Sequence, residues 1–377
     1  MMDIKNFKAG KLVQQFEYKS FSPNPVNHEW IISDPSLNTL LGEANHKLGE
    51  LNAFSQLIPD VDFFILMHMA KEATKSNRIE GTQTSFEEAL IEEESVLPER
   101  RDDWQEVQNY IAAMNQAIKE LDKLPLSNRL LKNTHKVILK SVRGKERSPG
   151  EFRRSQNWIG VSLKDAIFIP PTQEEVPGLM SDLEKFLNNT FIQVPHLIKI
   201  AISHYQFETI HPFLDGNGRL GRLLITLYLV SNGLLQKPTL YLSDFFERNK
   251  PHYYDNLTSV RTHNNLTQWI RFFLVGVLET ALNSIDTFNK IIKLKENIES
   301  KKLLTLGQKQ IKAKHVLNEL YSRPITNAAR IGAILQASPA TANRFIKDFV
   351  QMGILIEDTG FKRNRVFVFK EYLNLFL

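Results

Sequence analysis

The 377-residue chain contains no cysteine. That excludes disulfide staples and thiolate-bound metal, and it fits a reducing compartment. Long apolar runs are missing as well. The densest, Val61 to Met69, is broken by Asp62 and His68 and is too short to cross a bilayer. The opening residues, Met-Met-Asp-Ile-Lys-Asn, lack the apolar core of a signal peptide. These absences lead to the expectation of a cytoplasmic protein with no membrane partner. What is present is ordinary for a soluble protein, with 42% hydrophobic and 24% charged residues. The length suits two or three domains with ample core. The net charge of +5 is unevenly spread. Residues 301–377 hold thirteen lysines and arginines against five acidic residues, so the basic excess lies wholly in that segment.

One stretch concentrates reactive groups. Residues 211–222 read His-Pro-Phe-Leu-Asp-Gly-Asn-Gly-Arg-Leu-Gly-Arg. Upstream, His196 to Thr209 has helical spacing, and Pro212 bars His211 from continuing it. Downstream, Leu220, Leu223, Leu224, Leu227 and Val230 repeat as a second helix, capped by Gly233. The spacing predicts a tight loop leading into a helix N-terminus, which suits an anion such as phosphate. Gly216 and Gly218 permit close backbone approach. Arg219 and Arg222 share a helix face, and guanidinium grips phosphate oxygens in pairs. Asp215 is a hard oxygen ligand for Mg²⁺ on phosphates, and His211 has the pKa range of a general base.

The stretch resembles the signature of the Fic family, HPFx[D/E]GN[G/K]RxxR, and matches it at every specified position. The resemblance implies a mainly α-helical core that transfers AMP from ATP to a protein hydroxyl, with Mg²⁺ as cofactor. By position it implies His211 as general base and Asp215 as metal ligand. Gly216, Asn217 and Gly218 would form the anion hole, and Arg219 and Arg222 would hold the triphosphate. The whole run, Leu220 and Gly221 included, would bind nucleotide.

Earlier in the chain, residues 1–35 are rich in turn formers and read as an extended lead-in. Helical patterns follow over Pro35–Leu57, Val61–Ile79 and Ser85–Ser95. The second ends Ser76-Asn77-Arg78-Ile79-Glu80-Gly81, with Ser76 and Glu80 on one face. A glutamate in a last turn opposes the helix dipole, which hints at a partner elsewhere. This segment resembles the family's inhibitory helix, [S/T]xxxE[G/N]. There the glutamate pairs with the second arginine of the signature, here Arg222, and Ser76 would help anchor the helix. The plain alternative is a solvated surface glutamate.

Helices are expected over Asp103–Lys123 and Leu126–Val142. Between turn signals, 156–161 and 166–169 read as two strands of a hairpin. It resembles the family's flap, which pairs with the target backbone; Trp158, Ile159 and Gly160 would dock the target. An ordinary surface hairpin is the alternative. The resemblance also implies that Tyr253 borders an adenine, although aromatic residues at helical spacing are commonly core packing. Leu266–Leu282 closes the core, and Ser284–Lys302 reads as a polar connecting helix.

Beyond it, helical patterns over Gly307–Tyr321, Thr326–Leu335 and Ser338–Met352 precede two strands, 354–357 and 364–369. Three helices and a hairpin resemble a winged helix-turn-helix. Ala340, Thr341, Asn343 and Arg344 open its third helix, and the basic excess includes the turn 358–363. Such modules bind DNA, bind protein or only dimerise. The expected architecture is therefore an N-terminal helical region (1–100), a Fic core (101–290) and a winged-helix module (300–377). The leading reading is an autoinhibited, self-modifying protein adenylyltransferase, a homodimer by family resemblance. Rival readings keep the site and move another phosphate-bearing group or remove AMP. A reading of another class is an ATP-sensing, DNA-binding regulator.

Overall fold

Residues 196–210 and 217–231 carry apolar side chains on every face, and a helix apolar all round belongs inside a protein. The computed structural model describes residues 1–57, 61–140, 146–358, 360 and 365–377, and it is built around these two helices. In chain order come β1 (Met2–Asp3), β2 (Gly10–Gln14), β3 (Lys19–Pro23) and β4 (Trp30–Ile31). Helices α1 (Pro35–Leu57), α2 (Val61–Ile79), α3 (Arg101–Glu120) and α4 (Asn128–Ile138) follow. The hairpin β5 (Ile159–Gly160) and β6 (Ala166–Phe168) leads to α5 (Val176–Asn188), α6 (His196–Ile210) and α7 (Asn217–Ser231). Then come α8 (Ser243–Arg248), α9 (Lys250–His263) and α10 (Leu266–Asn297). The last segment holds α11 (Gln310–Ser322), β7 (Ile325–Asn327), α12 (Ala328–Leu335), α13 (Pro339–Gln351), β8 (Ile356–Glu357), β9 (Val366–Val368) and α14 (Lys370–Leu373).

The antiparallel pair α6 and α7 is buried almost throughout. Helices α5 and α10 pack on α6, while α2, α3 and α4 pack on α7. The expected mainly helical core with a small hairpin, β5–β6, is what the chain forms. Local chemistry sets the ends. Ser127 Oγ caps α4 through the Leu130 amide, and Ser338 Oγ caps α13 with Pro339 in its first turn. Gly81, Gly233 and Gly353 take the positive φ that follows a helix end.

Several expectations need correction. The lead-in 1–35 is not merely extended: β2 and β3 form an antiparallel hairpin, with Phe21 buried beneath it. Residues 85–95 make 3-10 turns at Glu88–Leu90 and Glu93–Ser95 rather than a helix. A helix there would stack Glu88 on Glu92 one turn apart, a like-charge pair. Instead Glu88 bonds Arg100 at 2.6 Å and Glu92 faces Arg330 at 3.5 Å. The core helix does not end at Leu282. Ala281, Ile285, Phe288, Ile291 and Leu294 continue its buried stripe, so α10 runs on to Asn297, through most of the expected linker, and a π-helical turn covers Ile298–Lys302.

In the last segment a third strand, β7, was not foreseen; the sheet order is β7-β9-β8, all antiparallel. Most of the basic turn, residues 359 and 361–363, lies outside the described residues, as does residue 364 of the second expected strand. This segment is not a free appendage. Phe64 of α2 packs on Tyr321 (5.9 Å between centroids) and Tyr372 (6.4 Å). One turn along, His68 meets Phe376 at 5.1 Å, and Phe376 also touches Phe86 at 6.2 Å. Among the described residues no helix is long and apolar enough to cross a membrane.

Candidate active site

Helix α6 stops where Pro212 requires it. His211 caps it in the left-handed region, at φ 50° and ψ 60°. For a residue with a Cβ this costs about 1–2 kcal/mol, so the surroundings must hold it. The loop that follows is closed on itself. Asn217 Nδ2 donates to the Phe213 carbonyl, and Asn217 Oδ1 accepts from the Phe213 amide, both at 2.8 Å. The Asn217 side chain therefore shapes the loop. Phe213 stacks on His135 of α4 at 3.8 Å and 15°. His135 Nδ1 accepts from the Gly150 amide, which leaves Nε2–H to donate to the Asp215 carbonyl at 2.9 Å. Burial lowers the His135 pKa to about 4, so this neutral tautomer is the one that persists. Gly216 takes φ +74° against that ring, as N-cap of α7.

The first turn of α7 presents amides without intrahelical acceptors and the positive end of its dipole. Gly218 lies inside this turn rather than in the loop. Its lack of a Cβ makes room for the Glu80 carboxylate, which a side chain there would overlap. Arg219 is buried; its Nη1 donates to Glu106 Oε2 at 3.0 Å and reaches Asn77 Oδ1 at 3.4 Å. Its Nη2 lies 3.5 Å from Asp215 Oδ1. Arg222 is also buried; Nε donates to Ser76 Oγ at 2.9 Å, and Nη2 donates to the Ser76 carbonyl at 2.8 Å and Glu80 Oε1 at 2.6 Å. Burial works against the Arg222 charge, but Glu80 and the oxygens of Tyr253, Tyr254 and Glu208 outweigh it and raise its pKa. Leu220 and Gly221 do not share this face. Leu220 is fully buried, and Gly221 lies against Glu208 and Phe207 of α6.

Glu80 is the point at which the groups meet. It pairs with Arg222, covers Gly218 and acts electrostatically on His211. Burial first, then the Arg261 guanidinium, hold the half-buried imidazole of His211 at about 4, so it is neutral near pH 7. Its Nδ1 has no hydrogen-bond partner among the described residues. The carbonyl of His211 accepts from Arg153 Nε at 3.0 Å and Asn157 Nδ2 at 3.3 Å. Asn157 stands at the foot of the β5–β6 hairpin and also bonds the Phe213 carbonyl at 2.9 Å. The hairpin is thus tied to the loop. Trp158 is partly exposed, and a bulge falls between Ile159 and Gly160, where a Cβ would crowd the opposite strand. Among the described residues the outer edge of β5 pairs with no strand.

Tyr253 lies in the core rather than at the mouth. Its ring stacks on Phe246, and its hydroxyl meets His204 Nε2 at 2.9 Å. The neighbouring Tyr254 is 41% exposed, and burial followed by Glu80 pushes its phenol up. Of the two adjacent tyrosines it is the exposed one, close enough to Glu80 to feel its charge. Glu106, Asn77 and His135 also escaped the sequence reading, since only the packing of α3, α2 and α4 on α7 brings them here.

Asp215 is the candidate cation ligand. Its side chain is 47% exposed, and Oδ1 takes the Gly216 amide at 2.6 Å. Among the described residues no cluster of three or more His, Asp or Glu side chains could cage a metal. The donor set fits a hard cation that keeps water and takes its other ligands from phosphate oxygens.

Comparison with known proteins bears on the family of the chain. Residues 38–119 match the Fic/DOC family N-terminal model, and residues 125–229 match the Fic/DOC family model. The chain is 40% identical over 85 residues to a Drosophila erecta protein named "Protein adenylyltransferase Fic", covering 22% of this chain and 16% of that one. It is 32% identical over 124 residues to the Aedes aegypti protein of the same name, covering 33% of this chain and 22% of that one. The match therefore spans less than a quarter of either relative. In fold, a Fic family protein from Desulfovibrio desulfuricans G20 superposes with a TM-score of 0.57 at 21% identity, over 90% of this chain and 98% of that one. A Fic domain containing signaling protein from Bacteroides thetaiotaomicron VPI-5482 gives 0.54 at 19% identity, over 66% and 97%. The chain carries the N-terminal domain and the Fic domain of the Fic/DOC family.

Proposed function

We propose that the chain is a protein adenylyltransferase held off by its own α2. The observation that carries this reading is the convergence of His211, Arg222 and the first turn of α7 on the Glu80 carboxylate. A carboxylate gripped by a buried arginine at a helix N-terminus occupies the place of a phosphate oxygen. With Glu80 displaced, the freed Arg222 and the α7 amides hold the triphosphate of ATP, with Arg219 beside them. Mg²⁺ held by Asp215 would neutralise phosphate charge and orient the leaving group. The hydroxyl of a target Ser, Thr or Tyr attacks the α-phosphorus, and neutral His211 accepts its proton. The bond to pyrophosphate breaks and pyrophosphate departs. Bound triphosphate is anionic, so it raises the His211 pKa towards the working pH of a base. The free edge of β5 presents the target backbone, with Trp158, Ile159 and Gly160 along it. Tyr254 rather than Tyr253 borders the adenine.

Incubation with α-labelled ATP and cell lysate tests this. The Glu80→Gly variant should transfer label at least tenfold faster than the parent, onto itself and onto a target. His211→Ala in that background should bind Mg-ATP and transfer nothing. Normal transfer by the histidine variant removes the mechanism, and equal rates with and without Glu80 remove the inhibition. Mass spectrometry of the product separates AMP from any other transferred group.

A second role has its own support. In the 300–377 segment, which we read as a winged-helix module, Asn343, Arg344 and Lys347 of α13 are exposed. These are residues of the helix that enters the major groove in such folds. Gel shifts over a salt series on random duplex DNA should give binding that weakens steeply with salt; no binding at low salt sinks this role.

A further inference from the structure

Arg153 lies outside the signature, yet it is 2% exposed and donates in several directions at once. Its Nε bonds the His211 carbonyl at 3.0 Å, and Nη2 reaches the Ile210 carbonyl at 3.4 Å. Nη2 also donates to the Pro171 carbonyl at 2.5 Å, and Nη1 donates to the Ser155 carbonyl at 3.2 Å. Its backbone amide bonds the Pro212 carbonyl at 2.9 Å. Among the described residues, all its side-chain hydrogen bonds go to backbone carbonyls. A buried cation without a paired carboxylate is costly, and a planar fork of donors is the reason to keep it.

The acceptors form two groups. Ile210 and His211 end α6, where the left-handed turn leaves their carbonyls without helical partners. Ser155 and Pro171 are the two feet of the β5–β6 hairpin, one before it and one after. One guanidinium therefore joins the turn that carries the imidazole to both ends of the strand pair. Asn157 Nδ2 repeats the link on one side only.

We propose that Arg153 is a positioning residue that locks the His211 turn and the β5–β6 hairpin into one unit, so that the base keeps register with a hydroxyl presented on the hairpin edge. This rests on the transferase reading above. A misplacement near 1 Å costs on the order of a hundredfold in rate while leaving nucleotide binding alone. In that reading α7 holds the triphosphate, and among the described residues Arg153 makes no hydrogen bond to α7.

The test uses the full chain in the Glu80→Gly background. Arg153→Lys keeps a cation and loses the fork; Arg153→Met loses both. Self-transfer of labelled AMP should fall about a hundredfold in both, while the Kd for Mg-ATP stays within about threefold. The pH profile adds a readout that a scaffold role would leave unmoved. Arg153 lowers the His211 pKa alongside Arg261, while Glu80 in the parent opposes them and Glu208 sits on the same helix. The acid limb of the rate profile should rise in pH for the Met variant and stay for the Lys variant. Should the Met variant not fold, Asn157→Ala carries the test, with a smaller loss of rate at unchanged Kd. Full transfer rates in the Arg153 variants, or a loss of Mg-ATP binding parallel to the rate, overturn the proposal. No transfer by Glu80→Gly with Arg153 intact overturns the transferase reading instead.

Discussion

Glu208 lies three residues before the histidine of the loop, buried and with Oε1 unbonded among the described residues. Burial raises its pKa to about 7, opposed by Arg222 and reinforced by Glu80. A carboxyl group with a raised folded-state pKa stabilises fully below its unfolded value of 4.5. That contribution is lost as the pH climbs through 7, because the folded form binds the proton more tightly across the window. The shift corresponds to roughly 3 kcal/mol. Glu208→Gln should therefore match the parent in denaturant midpoint near pH 4.5 and exceed it by up to that amount at pH 8. An equal gap at both pH values would show that the carboxyl does not titrate there. His211 moves the opposite way, with a lowered pKa, so protonating it below its usual range costs folding stability. The histidine and the carboxyl are thus both neutral in the folded chain between about 4 and 7.

Among the elements, those with sustained periodicity were legible. α1 and α2 fall where their apolar spacing and Gly81 place them, and so do α6, α7 and α13. The 211–222 stretch was legible because it gathers a histidine, a carboxylate, a carboxamide and two arginines into twelve consecutive residues that end in a helix start. Short pieces were not. β1, β4 and β7 are two or three residues long and owe their form to partners distant in sequence, Trp30 for Met2 and Val368 for Ile325. The 85–95 segment has helix-forming composition, yet distant arginines take its glutamates. Tyr253 shows the limit for the site itself. The family resemblance points to Tyr253, but only the packing of α9 against Phe246 shows that this ring turns inward and Tyr254 outward. Arg153 and His135 gave no signal at all, because a buried polar side chain that binds carbonyls looks in sequence like any other.

For the whole molecule, α2 connects two regions whose separation in sequence hides their contact. Its last turn seats Ser76 and Glu80 on Arg222, and its first half is gripped by Tyr321, Tyr372 and Phe376. Lysines along its middle add ties to Asp244 and Glu247 of α8, at 3.2–3.6 Å. Phe376→Ala should weaken the grip by a few kcal/mol, as large-to-small changes of buried aromatics do. We expect labelled-AMP transfer to rise in the parent and not to rise further when Glu80→Gly is already present. An unchanged parent rate, beside an active Glu80→Gly, would mean the two ends of α2 move independently. On the proposed reading, a rod clamped at one end by the 300–377 segment and seated on Arg222 by the other would work as a lever. On that reading, a ligand that braces or slackens the clamp would alter transfer from a distance, without touching Arg222.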